Sequence, residues 1–283
     1  MEIKSLATAG IDTIFDAFSQ AFADYELQLN KTQLQKMLKR RGFEPELSFA
    51  AFEGDRIVAF TFNGIGNYNG IPTAYDTGTG TLKEYRGKGL ATRIFEYSIP
   101  YLKEANLKQY LLEVLQHNTK AVAVYRNLGF EVTREFNYFM QEKEKISIPE
   151  REIDFPYSIR HIDVPLSGSP SELWDFQPSW QNSLESIERA PGDFIGLGIF
   201  TENQWIGYCV FEPAAGDITQ IAVDKNYRRK GVGSLLLREV MKLNGSNSVK
   251  AVNAEITCDA ITGFLEKNNI HLKGKQFEMI KPI

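Results

Sequence analysis

The stretch Tyr85-Arg86-Gly87-Lys88-Gly89-Leu90-Ala91 has the residue types of an anion cradle. Glycines let a backbone approach its ligand, and the free N–H groups of a helix's first turn point at it. Basic side chains add charge. The chain carries this stretch twice. Tyr227-Arg228-Arg229-Lys230-Gly231-Val232-Gly233 repeats the Tyr, the Arg, the Lys and the glycine after the Lys, 142 residues later. Both copies run into an apolar helical pattern. Neither is a Walker loop or the dinucleotide G-x-G-x-x-G. Recurrence at the same place in each half implies two copies of one nucleotide- or phosphate-binding domain; a single copy would read as a helix start with surface lysines.

The elements around the turns support two copies. In the first half, helical patterns run over 11–23 and 32–40, and strands over 47–53 and 56–62, joined by Gly54-Asp55. A Gly/Asn-rich loop is expected over 63–70, then a strand over 75–82. A helix over 90–105, a strand over 110–115 and a helix over 118–128 follow. The last has Asn118 as its N-cap and Gly129 just past its end. One or two strands over 130–141 close the half. The second half replays the order: a strand at 158–162, helices up to Arg189, strands at 194–200, 204–211 and 217–223, the turn, a helix over 233–243, a strand over 249–257, a helix over 259–268 and a strand near 276–280. Mixed strands and helices in this order predict an α/β sheet with helices on both faces. The charged, Pro-containing segment 146–156 reads as a linker between domains 1–145 and 157–283.

At 283 residues, each half is long enough to bury a core. Residues 1–145 hold 18 basic and 18 acidic side chains, so the net charge of −4 falls in the second half. Neither half is the basic body of a general nucleic-acid binder. Cys209 and Cys258 make no disulfide framework or metal cluster, and three scattered histidines add no ligand pair, so no metal is expected. No apolar run reaches a membrane span or a signal-peptide core. The expectation is a cytoplasmic protein with no nucleic-acid or membrane partner, as a monomer or a homodimer.

Arg86-Gly87-Lys88-Gly89-Leu90-Ala91 fits the [QR]-x-x-G-x-[GA] signature of the GCN5-related N-acetyltransferases, and Arg228 to Gly233 fits it again. Leu112 to Phe130, LEVLQHNTKAVAVYRNLGF, resembles the family's second signature: a strand, then N-x-x-A-x-x-x-Y-x-x-x-G-F. The resemblance covers most of 1–140 and, more loosely, 156–283. It implies two domains, each a mixed, mostly antiparallel sheet flanked by helices, with a splayed central strand pair. It implies acetyl-CoA as donor, held by the backbone from Gly87 to Ala91 with charge from Arg86 and Lys88. Thr79 and Thr81 would lie along the pantetheine arm, and Asn118 near it. The strand 76–81 departs from the family's aliphatic run; its glycines also suit close packing of a helix.

The same resemblance makes Tyr125 the acid that protonates the leaving thiolate, although a lone tyrosine on an apolar helix also suits plain core packing. Glu113 resembles the water-relaying base of the ribosomal-protein N-terminal acetyltransferases; a hydrogen-bonded strand carboxylate is the alternative. Asp76 and Glu26 are weaker candidates. The acceptor would be a primary amine of a small molecule or peptide, with 11–40 and 63–75, including Phe22, Tyr25, Tyr68 and Tyr75, lining its pocket. In the second copy Leu265 stands opposite Tyr125 and Cys258 opposite Asn118. Arg228, Arg229, Lys230, Gly231, Val232 and Gly233 form a candidate second cofactor site without an acid. The competing reading is a non-catalytic acyl-CoA-binding or sensing tandem module.

Overall fold

The computed structural model describes residues 1–25, 28–164, 166, 168–202 and 204–283. These fall into two compact units: Met1–Val114, Asn118–Thr133 and Glu278–Ile283 in unit 1, Leu115–His117 and Arg134–Phe277 in unit 2. Among the described residues no helix is long and apolar enough to cross a membrane.

Unit 1 opens with β1 (Glu2–Ser5), α1 (Ile11–Ala21) and α2 (Lys31–Arg40). Strands β2 (Phe49–Glu53), β3 (Arg56–Tyr68) and β4 (Ile71–Thr81) form a meander, followed by α3 (Leu90–Glu104), β5 (Gln109–Leu115) and α4 (Thr119–Asn127). A capping box of Asn30 and Gln33 starts α2. One sheet face takes Ile14, Phe18, Leu34 and Leu38 of α1 and α2 against Phe60 and Phe62. The other takes Leu90 and Ile94 of α3 against Phe49, Val58 and Ala59. Each large side chain so buried contributes about 1.5–3 kcal/mol. The expected packing role of the strand glycines appears at Gly80, where a Cβ would meet Phe60 at 2.5 Å and Ala21 of α1 at 3.0 Å.

The expected loop over 63–70 is not a loop. β3 continues to Tyr68 and pairs with Ile71 of β4 across a two-residue turn. Asn69 (φ 54°) and Gly70 (φ 78°) supply the left-handed conformations such a hairpin needs. Tyr68, expected in a pocket wall, is instead buried, its hydroxyl donating to Glu278 Oε2 at 2.9 Å.

Unit 2 contains most of β6 (Glu131–Glu142), then β7 (Ser158–Ile162), α5 (Leu184–Glu188), β8 (Ile195–Thr201), β9 (Gln204–Glu212) and β10 (Asp217–Val223). α6 (Val232–Leu243), β11 (Ser248–Glu255), α7 (Asp259–Lys267) and the start of β12 (His271–Pro282) complete it. The helices expected up to Arg189 shrink to the five residues of α5 and single 3-10 turns at Pro170–Leu173 and Trp180–Asn182. Pro170 and Pro178 lack the N–H that a longer helix would use.

Two strands do not follow the chain's linear order. In unit 1 the strand order is β1-β2-β3-β4-β5-β12, so its last place goes to the end of β12; in unit 2, β6 holds the place beside β11. Residues 278–283 are tied into unit 1. Glu278 accepts from Tyr68 and from the Thr133 hydroxyl, Lys281 Nζ donates to the Leu128 carbonyl at 2.6 Å, and Ile283 N–H donates to Lys108 at 3.0 Å. The division expected at 146–156 is continuous in sequence; the compact units are not. Ile146, Ile148, Ile153 and Phe155 of that segment pack on the core of unit 2.

Candidate active site

In unit 1 the parallel ladder between β4 and β5 pairs Thr73, Ala74 and Tyr75 with Gln109, Tyr110 and Leu111, and ends there. β4 goes on, paired with β3 as far as Thr81–Ala59. The β5-facing edge of β4 from Asp76 to Thr81 is therefore open. A bulge sits at the start of this edge: Asn63 pairs with Asp76 and Phe62 with Gly78, leaving Thr77 extra. In a regular strand, residues three apart point to opposite faces. The extra residue reverses that parity, and the Thr79 hydroxyl reaches Asp76 Oδ2 at 2.8 Å.

The structure brings Tyr125 to the same point. Its hydroxyl, carried by α4, donates to Asp76 Oδ2 at 3.0 Å. Burial, and then the Asp76 charge, hold the Tyr125 phenol well above the usual tyrosine range. Burial also raises the Asp76 carboxyl, against the lowering effect of the Thr79 and Tyr125 bonds, the Gly78 N–H and Arg41. Arg41, at the end of α2, donates Nη1 to the Thr77 carbonyl at 3.0 Å. The Tyr110 hydroxyl donates to Asn63 Oδ1, and burial raises that phenol as well. The Glu113 carboxylate accepts from buried Tyr75. Glu26 lies outside the described residues. Asn118 caps α4, accepting from Ala121 N–H at 3.3 Å.

The turn before α3 is open. Gly87 (φ 76°) and Gly89 (φ 69°) hold left-handed conformations, and a Cβ on either would meet nothing within 4 Å. No side chain caps the helix that starts at Leu90. Arg86 points away from this opening. Its Nε donates to Thr81 O at 3.2 Å, Nη2 to Ala21 O at 2.8 Å and Nη1 to Asp24 at 3.1 Å. Lys88 Nζ lies 4.7 Å from the centre of the Tyr85 ring. Of the expected pocket aromatics, Tyr75 is buried, Phe22 packs on Phe18 and Phe60, and Tyr25 is exposed.

The turn of unit 2 repeats the inner frame. Arg228 donates Nε to Val223 O at 3.0 Å and Nη2 to Asp175 at 2.9 Å, and Lys230 lies over Tyr227. Its outside differs. A Cβ on Gly231 would meet Ile153 at 3.2 Å and Arg151 at 3.6 Å, and one on Gly233 would meet Phe264 of α7 at 3.1 Å. Arg229, not a glycine, takes φ 61°. Leu265 is fully buried where unit 1 has Tyr125, and Cys258 starts α7 without a side-chain cap. Between β10 and β11 lies a cavity of about 80 Å³, walled by Trp174, Tyr208, Ile218, Gln220, Asn253 and Cys258.

The family model for the acetyltransferase (GNAT) family matches residues 11–130 and again 157–260. The chain belongs to this family. Its two matched regions contain the two turns, and the first contains Asp76 and Tyr125. Over 98 residues the chain is 30% identical to N-alpha-acetyltransferase 30 of Schizosaccharomyces pombe, covering 34% of this chain and 65% of that protein. Over 123 residues it is 31% identical to a mycothiol acetyltransferase of Thermobifida fusca, covering 40% of this chain and 38% of that protein. The chain thus spans less than two thirds of either relative. A tandem GNAT protein from the clavulanic acid biosynthesis pathway superposes with a TM-score of 0.73 at 11% identity, over 99% of this chain and 98% of that one. A GCN5-related N-acetyltransferase from Sphaerobacter thermophilus gives 0.72 at 14%, over 99% and 95%. The fold is therefore the tandem GNAT α/β fold.

Sequence reasoning missed Arg41 and the covering segment 151–153. Nothing in the sequence marks Arg41. Alternating apolar residues, Ile146 with Ile148 and Ile153 with Phe155, were the available sign that the linker packs on a core.

Proposed function

We propose that unit 1 is an acetyl-CoA-dependent N-acetyltransferase for a primary amine and that unit 2 is a non-catalytic companion. The observation that carries this is the Tyr125–Asp76 pair, held where β4 and β5 part, at one end of an open strand edge whose other end leads to the uncovered glycine turn. The turn suits the donor's pyrophosphate: Gly87 and Gly89 leave space, and the uncapped N–H groups at Leu90 and Ala91 supply donors. Lys88 adds charge at the rim. Arg86 holds the turn in place from behind, and Asn118 sets the start of α4. Thr79 and Thr81 present the backbone along which the pantetheine arm would lie.

Transfer is direct. The acceptor nitrogen attacks the thioester carbonyl, and N–H groups on the free edge of β4 stabilise the oxyanion. Tyr125 protonates the departing thiolate, whose conjugate thiol has a pKa near 8–9. The raised pKa keeps the Tyr125 proton in place until that moment. A buried carboxylate, Glu113 or Asp76, receives the proton of the amine. Unit 2 offers no counterpart, because Leu265 carries no proton and Ile153, Arg151 and Phe264 cover its turn. Two buried free cysteines suit a reducing, cytoplasmic setting.

The test is thiol release from acetyl-CoA with a panel of aminosugars, arylalkylamines and peptides with free N-termini. At least one class should release CoA in a one-to-one ratio with acetylated amine. Acetyl-CoA binding by calorimetry without release from any amine would instead make the chain a sensing module.

A further inference from the structure

The two oxygens of the Asp76 carboxyl have different surroundings. Oδ2 accepts from Tyr125 at 3.0 Å and from Thr79 at 2.8 Å. Oδ1 is buried and has no hydrogen-bond partner. A buried carboxylate oxygen without a donor is costly, and most buried polar atoms are paired. A donor that arrives with the substrate resolves the deficit. An acceptor amine in the splay between β4 and β5 is such a donor.

We propose that Asp76 serves both ends of the transfer: Oδ1 takes the proton of the acceptor nitrogen, and Oδ2 holds and then restores the proton of Tyr125. This rests on the acetyltransferase reading of unit 1. The amine enters neutral. As nitrogen bonds to the carbonyl carbon it becomes positively charged, and one N–H proton passes to Asp76 Oδ1. The carboxylate loses its charge, so its grip on the Tyr125 hydroxyl weakens. The carbon–sulfur bond breaks with its electron pair on sulfur, and Tyr125 gives its proton to the thiolate. A half-turn of the neutral carboxyl brings its O–H to the phenolate, which takes the proton back. The products are the N-acetyl amide and free CoA thiol, with both side chains reset and no other reactant needed.

The groups around Asp76 fit this assignment. Arg41 approaches from the end of α2, Tyr75 precedes Asp76 on β4, Tyr110 faces it from β5 and Tyr125 from α4. Glu113 is engaged with Tyr75. Asp76 is thus the carboxylate bonded directly to the proton donor. In unit 2 the same register position, immediately before the same one-residue bulge, holds Ile218.

Two measurements on the full chain decide the proposal. The first is carbon-13 NMR of ring-labelled tyrosine, with Tyr125 assigned by its loss in Tyr125→Phe. Asp76→Asn should lower the Tyr125 titration by about one pH unit or more, and Glu113→Gln should move it much less. The second uses an amine the wild type acetylates. Because the amine binds neutral, its own ionisation enters kcat/KM but not kcat; the kcat profile should show an acidic limb that persists in Glu113→Gln and vanishes in Asp76→Asn. Asp76→Asn and Tyr125→Phe should each lose about 10²-fold or more. The double variant should lose about as much as the worse single one, since the two act as a unit. An unmoved Tyr125 titration, multiplying losses, or an acidic limb that vanishes only in Glu113→Gln overturns the proposal. Normal turnover by Asp76→Asn overturns it alone; a chain that acetylates no amine overturns it together with the function proposed above.

Discussion

The two turns share an inner frame and differ on the outside. Arg86 and Arg228 each bind the carbonyl five residues back and an aspartate from the segment ahead, Asp24 in one case and Asp175 in the other. Lys88 and Lys230 each lie over the tyrosine three residues before the lysine. Yet Gly89 faces open space, whereas Gly231 lies beneath Ile153 and Arg151. The motif's most visible residues therefore build the turn. Whether the turn can receive a ligand is decided by what packs over it, which the motif does not encode.

The strongest way to break this comparison is Tyr125→Phe. The ring still packs on Phe130, and only the hydroxyl is lost. Turnover should fall by about 10²–10⁴, with little change in acetyl-CoA affinity by calorimetry. If residual activity persists and disappears on changing Arg228 and Gly231, unit 2 is a working site and the contrast is wrong.

A matched pair of substitutions sharpens it. Gly89→Val and Gly231→Val both force a β-branched residue into a left-handed conformation, a strain of about 1–3 kcal/mol. Gly89→Val should also weaken acetyl-CoA binding, because its new side chain fills the space left for the ligand. Gly231→Val should leave that affinity unchanged and lower the thermal midpoint further, because it also pushes against Ile153. Calorimetry and thermal unfolding of the two folded variants check both arms.

The smallest effect concerns Asp76, where unit 2 has an isoleucine. Burial raises the folded-state pKa of Asp76 above its unfolded value. The folded chain therefore holds this proton more tightly, and the contribution of Asp76 to stability falls as pH rises from the unfolded pKa through the folded one. Asp76→Asn keeps an acceptor for Tyr125 without the buried charge. Its thermal midpoint should exceed that of the wild type by a few degrees near pH 7, and the gap should shrink toward pH 4. Unfolding scans across that range check the sign.

Much of this was readable from local pattern. The helical patterns over 11–23, 32–40 and 90–105 correspond to α1, α2 and α3, and Asn118 marked the start of α4 as it stands. The β3–β4 hairpin was harder. Its glycines read as a loop, although Asn69-Gly70 is the pair such a turn requires. The Asp76–Tyr125 contact was out of reach, because it joins β4 to α4 across 49 residues; the Thr79–Asp76 contact depends on the bulge at Thr77, which reverses strand parity without a sequence mark. The covering of Gly231 lies in a segment whose charges and prolines read as a linker, although apolar Ile153 stands in it. The departure of β6 and β12 from linear order has no local sign, since a strand's own pattern is the same whichever sheet receives it.

That departure sets a schedule. A ribosome delivers every residue assigned here to proton transfer by position 125, yet the strand that completes the sheet of unit 1 beside β5 lies at 278–283. An N-terminal domain commonly folds while the rest is still being made; here unit 1 lacks its last strand until residues 278–283 are added. Contacts such as Tyr68 to Glu278 span 210 residues, and pairings so distant in sequence form slowly. The unit proposed to carry the chemistry is thus begun before unit 2 and completed after it.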